Sequence, residues 1–212
     1  MLSRSEMWSW FGSIMSGGEC DQFYNALYRL PETPLVAVFD DYLTPGIAVR
    51  LGASAPGIAE LRDGLFLPAF DGAATAEQGF FSVHILHGIK PASTPTFHIH
   101  WTHNQAAPSG DVVWNIDYSY AKGYGAGAFP APTTLSTTST AAAQYVHVIT
   151  DDDDMPVDVS VEPDAVLLCR IYRDPTDVAD TFAADAFLVN VDMHYERTRV
   201  GTPERNRPFE GY

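Results

Sequence analysis

Alternation of apolar and polar side chains with period two constrains this chain more tightly than any motif in it. The clearest run is Val112-Val113-Trp114-Asn115-Ile116-Asp117-Tyr118-Ser119-Tyr120. Successive side chains of an extended strand project to opposite faces. Val112, Trp114, Ile116, Tyr118 and Tyr120 therefore share one face, and Val113, Asn115, Asp117 and Ser119 the other. Phe187 to Tyr195 repeats the pattern, and Phe97-His98-Ile99-His100-Trp101 is a third instance. The alternation assigns Phe97, Ile99, Trp101, Phe187, Val189, Val191 and Met193 to core faces. It turns His98, His100, Asp192 and His194 outward, as it does Asn115 and Asp117.

Strand-like runs recur at 35–39, 47–51, 65–70, 79–86, 96–103, 111–121, 133–139, 144–150, 165–172 and 185–196. Pro, Gly and Asp turns separate them, and no long helical pattern intervenes. That spacing favours antiparallel pairing over a parallel α/β sheet. The sequence predicts an all-β, antiparallel, jelly-roll-like β-sandwich over 35–197. It predicts an extended N-terminal arm over 1–34 and a C-terminal tail over 198–212. Within the arm, 22–30 has the spacing of a short helix. Its aromatic residues Trp8, Trp10, Phe11, Phe23 and Tyr24 are costly to leave in water, so they are expected to dock on a neighbouring subunit.

Charge narrows the possible partners. Twelve Lys and Arg stand against 27 Asp and Glu, a formal net charge of −15. Such a surface repels phosphate backbones, so no direct nucleic-acid binding is expected, whereas a basic protein surface would suit it. No run is long enough to cross a membrane, and 1–18 lacks the apolar stretch of a secretion signal. Cys20 and Cys169 are expected as separate thiols, with Cys169 buried in a strand.

The His98-x-His100 pair places two imidazoles on one strand face, a common way for a sheet to offer nitrogen ligands to a transition metal. His147 is the candidate third ligand. The pair is similar to the start of the cupin signature, but Asn104 and Gln105 follow His103 where a Glu is required, and the next carboxylate is Asp111. The competing reading is a polar sheet face on which Asn115, Asp117, Asp192 and His194 hold the pair. That face is poor in Lys and Glu, which tilts it toward a subunit interface. Asp174, Asp177, Asp180 and Asp185 could offer oxygens to Ca²⁺, while Asp174 and Asp177 could instead serve as turn and capping residues paired with Arg170 or Arg173. No nucleophile elbow and no glycine-rich phosphate loop is present. The expectation is a protein with no catalytic residues and no cofactor, a single transition metal or Ca²⁺ being the alternative.

Several segments carry a family resemblance. They are Phe-His-Ile-His-Trp at 97–101, Val-Trp-Asn-Ile-Asp-Tyr at 113–118, Gln-Tyr-Val-His at 144–147, Cys-Arg-Ile-Tyr-Arg-Asp at 169–174 and Asp-Ala-Phe-Leu at 185–188. Phe39-Asp40-Asp41 adds a weaker match. In these segments the chain resembles a family of bacteriophage and prophage virion structural proteins. The resemblance implies a virion component assembled in the host cytoplasm. It further implies a homo-oligomer, a trimer in the case of a capsid cement or decoration protein, that contacts the major capsid protein or other virion proteins. It transfers no catalytic residue. A cupin-like metal enzyme, a tail or collar attachment, and a carbohydrate-binding module exposing Tyr120, Tyr124 or Trp101 are the alternatives.

Overall fold

Every long alternating run in the sequence becomes a strand. The computed structural model describes residues 39–52, 54–72, 77–90, 92–124, 127–150 and 155–197, all within one unit, Val38–Tyr212. The arm residues Trp8, Trp10, Phe11, Phe23 and Tyr24, the expected helix at 22–30, Cys20 and the tail lie outside the described residues. The strands are β1 (Phe39–Pro45), β2 (Arg50–Leu51), β3 (Gly57–Arg62), β4 (Leu65–Phe70), β5 (Gln78–His84) and β6 (Thr96–Thr102). They continue with β7 (Asp111–Ala121), β8 (Thr133–Thr140), β9 (Val148–Ile149), β10 (Val166–Arg173) and β11 (Ala186–Glu196). A 3-10 turn, Gly46–Ala48, follows β1.

The strands form two antiparallel sheets, as the alternation predicts. The first has the order β3-β4-β11-β6-β9, with β1 also paired to β11; the second has the order β2-β5-β10-β7-β8. Phe97, Ile99 and Trp101 of the first sheet and Val112, Trp114, Ile116, Leu167 and Ile171 of the second are fully buried in one core. Trp114 sets its ring edge-on to Phe70 at 5.1 Å and to Trp101 at 6.4 Å. Trp101 satisfies its buried indole N–H by donating to Ser139 Oγ at 2.9 Å, the pairing a buried Trp requires.

One assignment changes along β11. Phe187 and Val189 were expected on the core face, but a bulge between Leu188 and Asn190 shifts the phase there. Ala186 and Leu188 face the core before it, and Val191, Met193 and Tyr195 after it. Phe187 is buried opposite Thr102, outside that core, and Val189 is half-buried. A bulge inserts one residue and so reverses which parity points inward. Gly46 packs against it so closely that a Cβ there would lie 2.5 Å from the Leu188 carbonyl oxygen.

Other boundaries differ as well. Of the expected first strand at 35–39 only Phe39 lies within the described residues, and it opens β1, which runs on to Pro45. The run at 47–51 gives the 3-10 turn and the two residues of β2. The run at 144–150 contracts to β9, because Tyr145 takes a φ of 62° and Val146 N–H closes a turn onto Ala143 O at 3.0 Å. Strand β3 was not foreseen. It is an edge strand joined to β4 by Asp63 and Gly64, both at positive φ (49° and 84°). Asp-Gly is the residue pair such a tight hairpin prefers, so the signal was present.

Candidate functional site

The outer face of the first sheet gathers most of the histidines. Residues opposite one another in register share a face, and three rows cross β1, β11 and β6. Asp41 aligns with His194 and Thr96, Leu43 with Asp192 and His98, and Pro45 with Asn190 and His100. Ile149 of β9 extends the third row. Because Phe97, Ile99 and Trp101 point into the core, His98 and His100 must point outward.

Asp192 lies between the two imidazoles. Its Oδ2 is 2.9 Å from His100 Nε2, and its Oδ1 is 3.4 Å from His98 Nδ1. His98 and Asp192 are only 7% and 6% exposed, so the pairing is not a loose surface contact. On its other side His100 offers Nδ1 to His147 Nε2 at 2.8 Å. Burial, and after it the neighbouring His100, hold the His147 imidazole below its ordinary pKa. That favours the neutral His147 imidazole, whose Nε2 can accept a hydrogen bond from His100 Nδ1–H. His194 sets its ring edge-on to His98 at 5.3 Å, and Phe39 meets His194 in turn at 4.9 Å.

The structure thus unites His98, His100, Asp192, His194 and His147, and leaves out two residues grouped with them. Asn115 and Asp117 lie on β7, in the second sheet, so they cannot hold the histidine pair. Asp117 instead faces Arg170, its register partner on β10, which donates through Nε at 2.9 Å and also through Nη2. Thr134 Oγ1 donates to Asp117 Oδ1 at 2.7 Å from the other side. As a ligand set, His98, His100 and His147 is likewise revised. His147 reaches only His100, and the group whose donor atoms lie within 4.8 Å of one another is His98, His100 and Asp192. Sequence reading counted Asp192 as part of the polar face only. The ligand role needs its register with His98, which pairing across 94 positions hides from any local pattern.

His103, at the end of the same strand, is an ordinary buried histidine. Its Nε2 donates to Ala142 O at 2.9 Å and its Nδ1 accepts from Gln105 N–H at 3.2 Å.

The four carboxylates considered for Ca²⁺ do not converge. Asp180 is taken by Arg173, whose Nε and Nη2 lie 2.9 and 2.7 Å from its two oxygens. Asp174 accepts from Thr176 N–H and Oγ, and Asp177 from Ala179 N–H, which are turn-capping roles. The Arg173–Asp180 pair is fully buried, with side-chain exposures of 0% and 1%. Arg173 also donates to the carbonyls of Phe70, Ala184 and Phe182. This pair ties the 174–185 loop to the core; the sequence pointed to Asp174 or Asp177 as partners of Arg173, and the structure puts Asp180 there in their place. An open polar recess lined by Asn104, Gln105, Ala183, Ala184 and Asp185 includes none of the outer-face histidines. Of the aromatic residues a sugar platform would need, Trp101 is fully buried and Tyr120 and Tyr124 are half-buried.

Fold and site together define a two-sheet β-sandwich with a His-His-Asp cluster on the outer face of one sheet. No family model matches the chain, and no curated protein matches it. Among solved structures it is similar to a chain described as CBM35 from Cellvibrio japonicus Abf62, with a TM-score of 0.38 and 9% identity, over 75% of this chain and 99% of that one.

Proposed function

We propose that this chain is a structural subunit of a bacteriophage virion, a capsid cement or decoration protein that acts through subunit contacts and catalyses nothing. It forms a homotrimer, braces the major capsid protein or other virion proteins, and is incorporated during assembly in the host cytoplasm. The observation that carries this reading is the outer face of the first sheet. Phe39, Leu43 and Ile149 are 56%, 57% and 50% exposed on that face, around a polar centre of His98, His100 and Asp192. Strands β1, β6, β9 and β11 contain no Lys, the residue sheets most often use to keep an outer strand from pairing with another chain. Fully burying a Leu, Ile or Phe side chain stabilises by about 1.5–3 kcal/mol, so these half-exposed residues each have about 1 kcal/mol left to gain from a partner. The sequence resemblance to virion structural proteins supports the same reading.

The cupin-like enzyme reading loses its geometric basis, because it needs the His pair inside a barrel and the alternation turns it outward.

Light scattering on the full chain tests the assembly. A trimer is expected, and replacing Leu43 and Ile149 together by Glu should yield monomers with an unchanged β-sheet circular dichroism signal. A monomeric natural chain at high concentration, or a trimer indifferent to both substitutions, would refute the docking face. Antibody labelling of purified phage particles tests the location, and a chain absent from them is not a virion component.

A further inference from the structure

We infer that His98, His100 and Asp192 bind one divalent first-row transition-metal cation on the outer face of the first sheet. The inference does not depend on the virion reading, since the donors all come from one chain. Metal–nitrogen and metal–oxygen bonds of about 2.0–2.2 Å place neighbouring donor atoms about 2.9–3.4 Å apart in octahedral or tetrahedral geometry. The separations from Asp192 to His100 and His98 are 2.9 and 3.4 Å, and all the donor atoms lie within 4.8 Å of one another. Two imidazoles and one carboxylate suit Zn²⁺, Fe²⁺, Co²⁺ or Mn²⁺ and leave coordination positions open to water.

A second observation points the same way. Asp192 Oδ1 is buried and accepts no hydrogen bond among the described residues, His98 Nδ1 standing off at 3.4 Å, which is an expensive state for a carboxylate oxygen. A cation between the three side chains satisfies it. The surroundings also have the form of an outer coordination shell. Metal-bound imidazoles nearly always donate their other ring N–H to a fixed acceptor. His100 can donate Nδ1–H to His147 Nε2 at 2.8 Å, which leaves its Nε2 lone pair directed at the cation. The His194 ring on His98 and the Phe39 ring on His194 wall one side. Bound there, the metal would link β6 to β11 at the middle of the sheet and hold the segment before β9 through His147.

The test uses the full chain, stripped with a chelator and titrated with Zn²⁺ by calorimetry and with Co²⁺ by visible absorption. One ion per chain, cobalt bands of a nitrogen–oxygen site and a raised melting temperature are expected. The His98→Gln/His100→Gln double variant and Asp192→Asn should each lose stoichiometric binding while keeping the β-sheet circular dichroism signal. His147→Ala should weaken binding by about 10- to 100-fold, the usual cost of losing an outer-shell partner. If a variant fails to fold, Mn²⁺ added to the natural chain should broaden the imidazole NMR signals of His98 and His100, together with those of the adjoining His147 and His194, before those of His84 and His87. No stoichiometric binding of Zn²⁺, Co²⁺, Mn²⁺ or Fe²⁺, binding retained in the double variant, or broadening that spares this group of histidines would each overturn the assignment.

Discussion

Asp192 stands directly opposite His98 in the β6–β11 register, and its far oxygen reaches His100, two residues along the same strand. The relationship depends on the bulge between Leu188 and Asn190. Had the parity set by Ala186 and Leu188 continued unbroken, Asp192 would point into the apolar core instead of toward the histidines. A single inserted residue therefore decides whether the cluster exists.

Gly46 guards that bulge, which leads to the first prediction. A Cβ at this position would lie 2.5 and 2.8 Å from the carbonyl oxygens of Leu188 and Val189. Backbone atoms cannot yield as a flexible side-chain tip can. Gly46→Ala should destabilise the fold by about 1–3 kcal/mol, the range for forced overpacking, and should disturb the His98 and His194 NMR signals. A urea midpoint equal to that of the natural chain would show that the 3-10 turn can move away freely.

The second prediction concerns Arg173 and Asp180. Asp180→Ala leaves a fully buried guanidinium without its carboxylate and should cost about 3–5 kcal/mol, as breaking a buried pair does. Replacing both by apolar residues, as in Arg173→Met/Asp180→Leu, removes the stranded charge and should recover much of that loss. Urea unfolding of the natural chain, both single variants and the double variant measures the coupling. A double variant no more stable than Asp180→Ala would mean that the carbonyl contacts of Arg173, and not the ion pair, hold the loop.

How much of this was legible in the sequence depended on the range of each interaction. Strand β7 follows from alternation to the residue, and β4 from a short apolar run bounded by turn residues, since both signals are local. The outward turn of His98 and His100 follows from the same rule, being fixed by the apolar neighbours Phe97, Ile99 and Trp101. Which carboxylate would meet them did not follow. Asp117 and Asp192 look alike in the sequence, each outward on an alternating strand. They part company only because β7 joins β10 in one sheet while β11 joins β6 in the other. The same limit hid which carboxylate Arg173 meets: the sequence offered Asp174 and Asp177, and only the loop folding back over the apolar face of β10 brings Asp180 to it.

Cys169 provides the third prediction. Burial pushes its thiol far above the ordinary range, and its partners across the sheet are Phe81 and Tyr118. The thiolate is the reactive form, so the native thiol should resist alkylation at pH 8. In a Cys20→Ser variant, labelling of Cys169 should proceed only at the rate of unfolding and accelerate with urea. Rapid modification without denaturant would mean that this part of the second sheet opens readily.

The last prediction is a pH dependence. Burial is the largest cause raising the pKa of Glu77, opposed by the Asp71 N–H it accepts, and the charges of Asp71 and Asp185 raise it further. Asp185 is raised by burial first and by Asp71 next. A carboxylate with a raised folded pKa takes up its proton at a higher pH in the folded chain than in the unfolded one. Over that window the unfolded state binds fewer protons, so stability falls as pH rises. Lowering the pH from 7 toward about 5 should therefore raise the urea midpoint, helped by relief of a net charge of −15. Glu77→Gln keeps an acceptor for the Asp71 N–H while removing the charge, so it should be more stable than the natural chain at pH 7 and show a shallower pH slope. Equal slopes in the two proteins would assign the effect to general charge repulsion, and a midpoint that drops between pH 7 and 5 would contradict the raised pKa of Glu77.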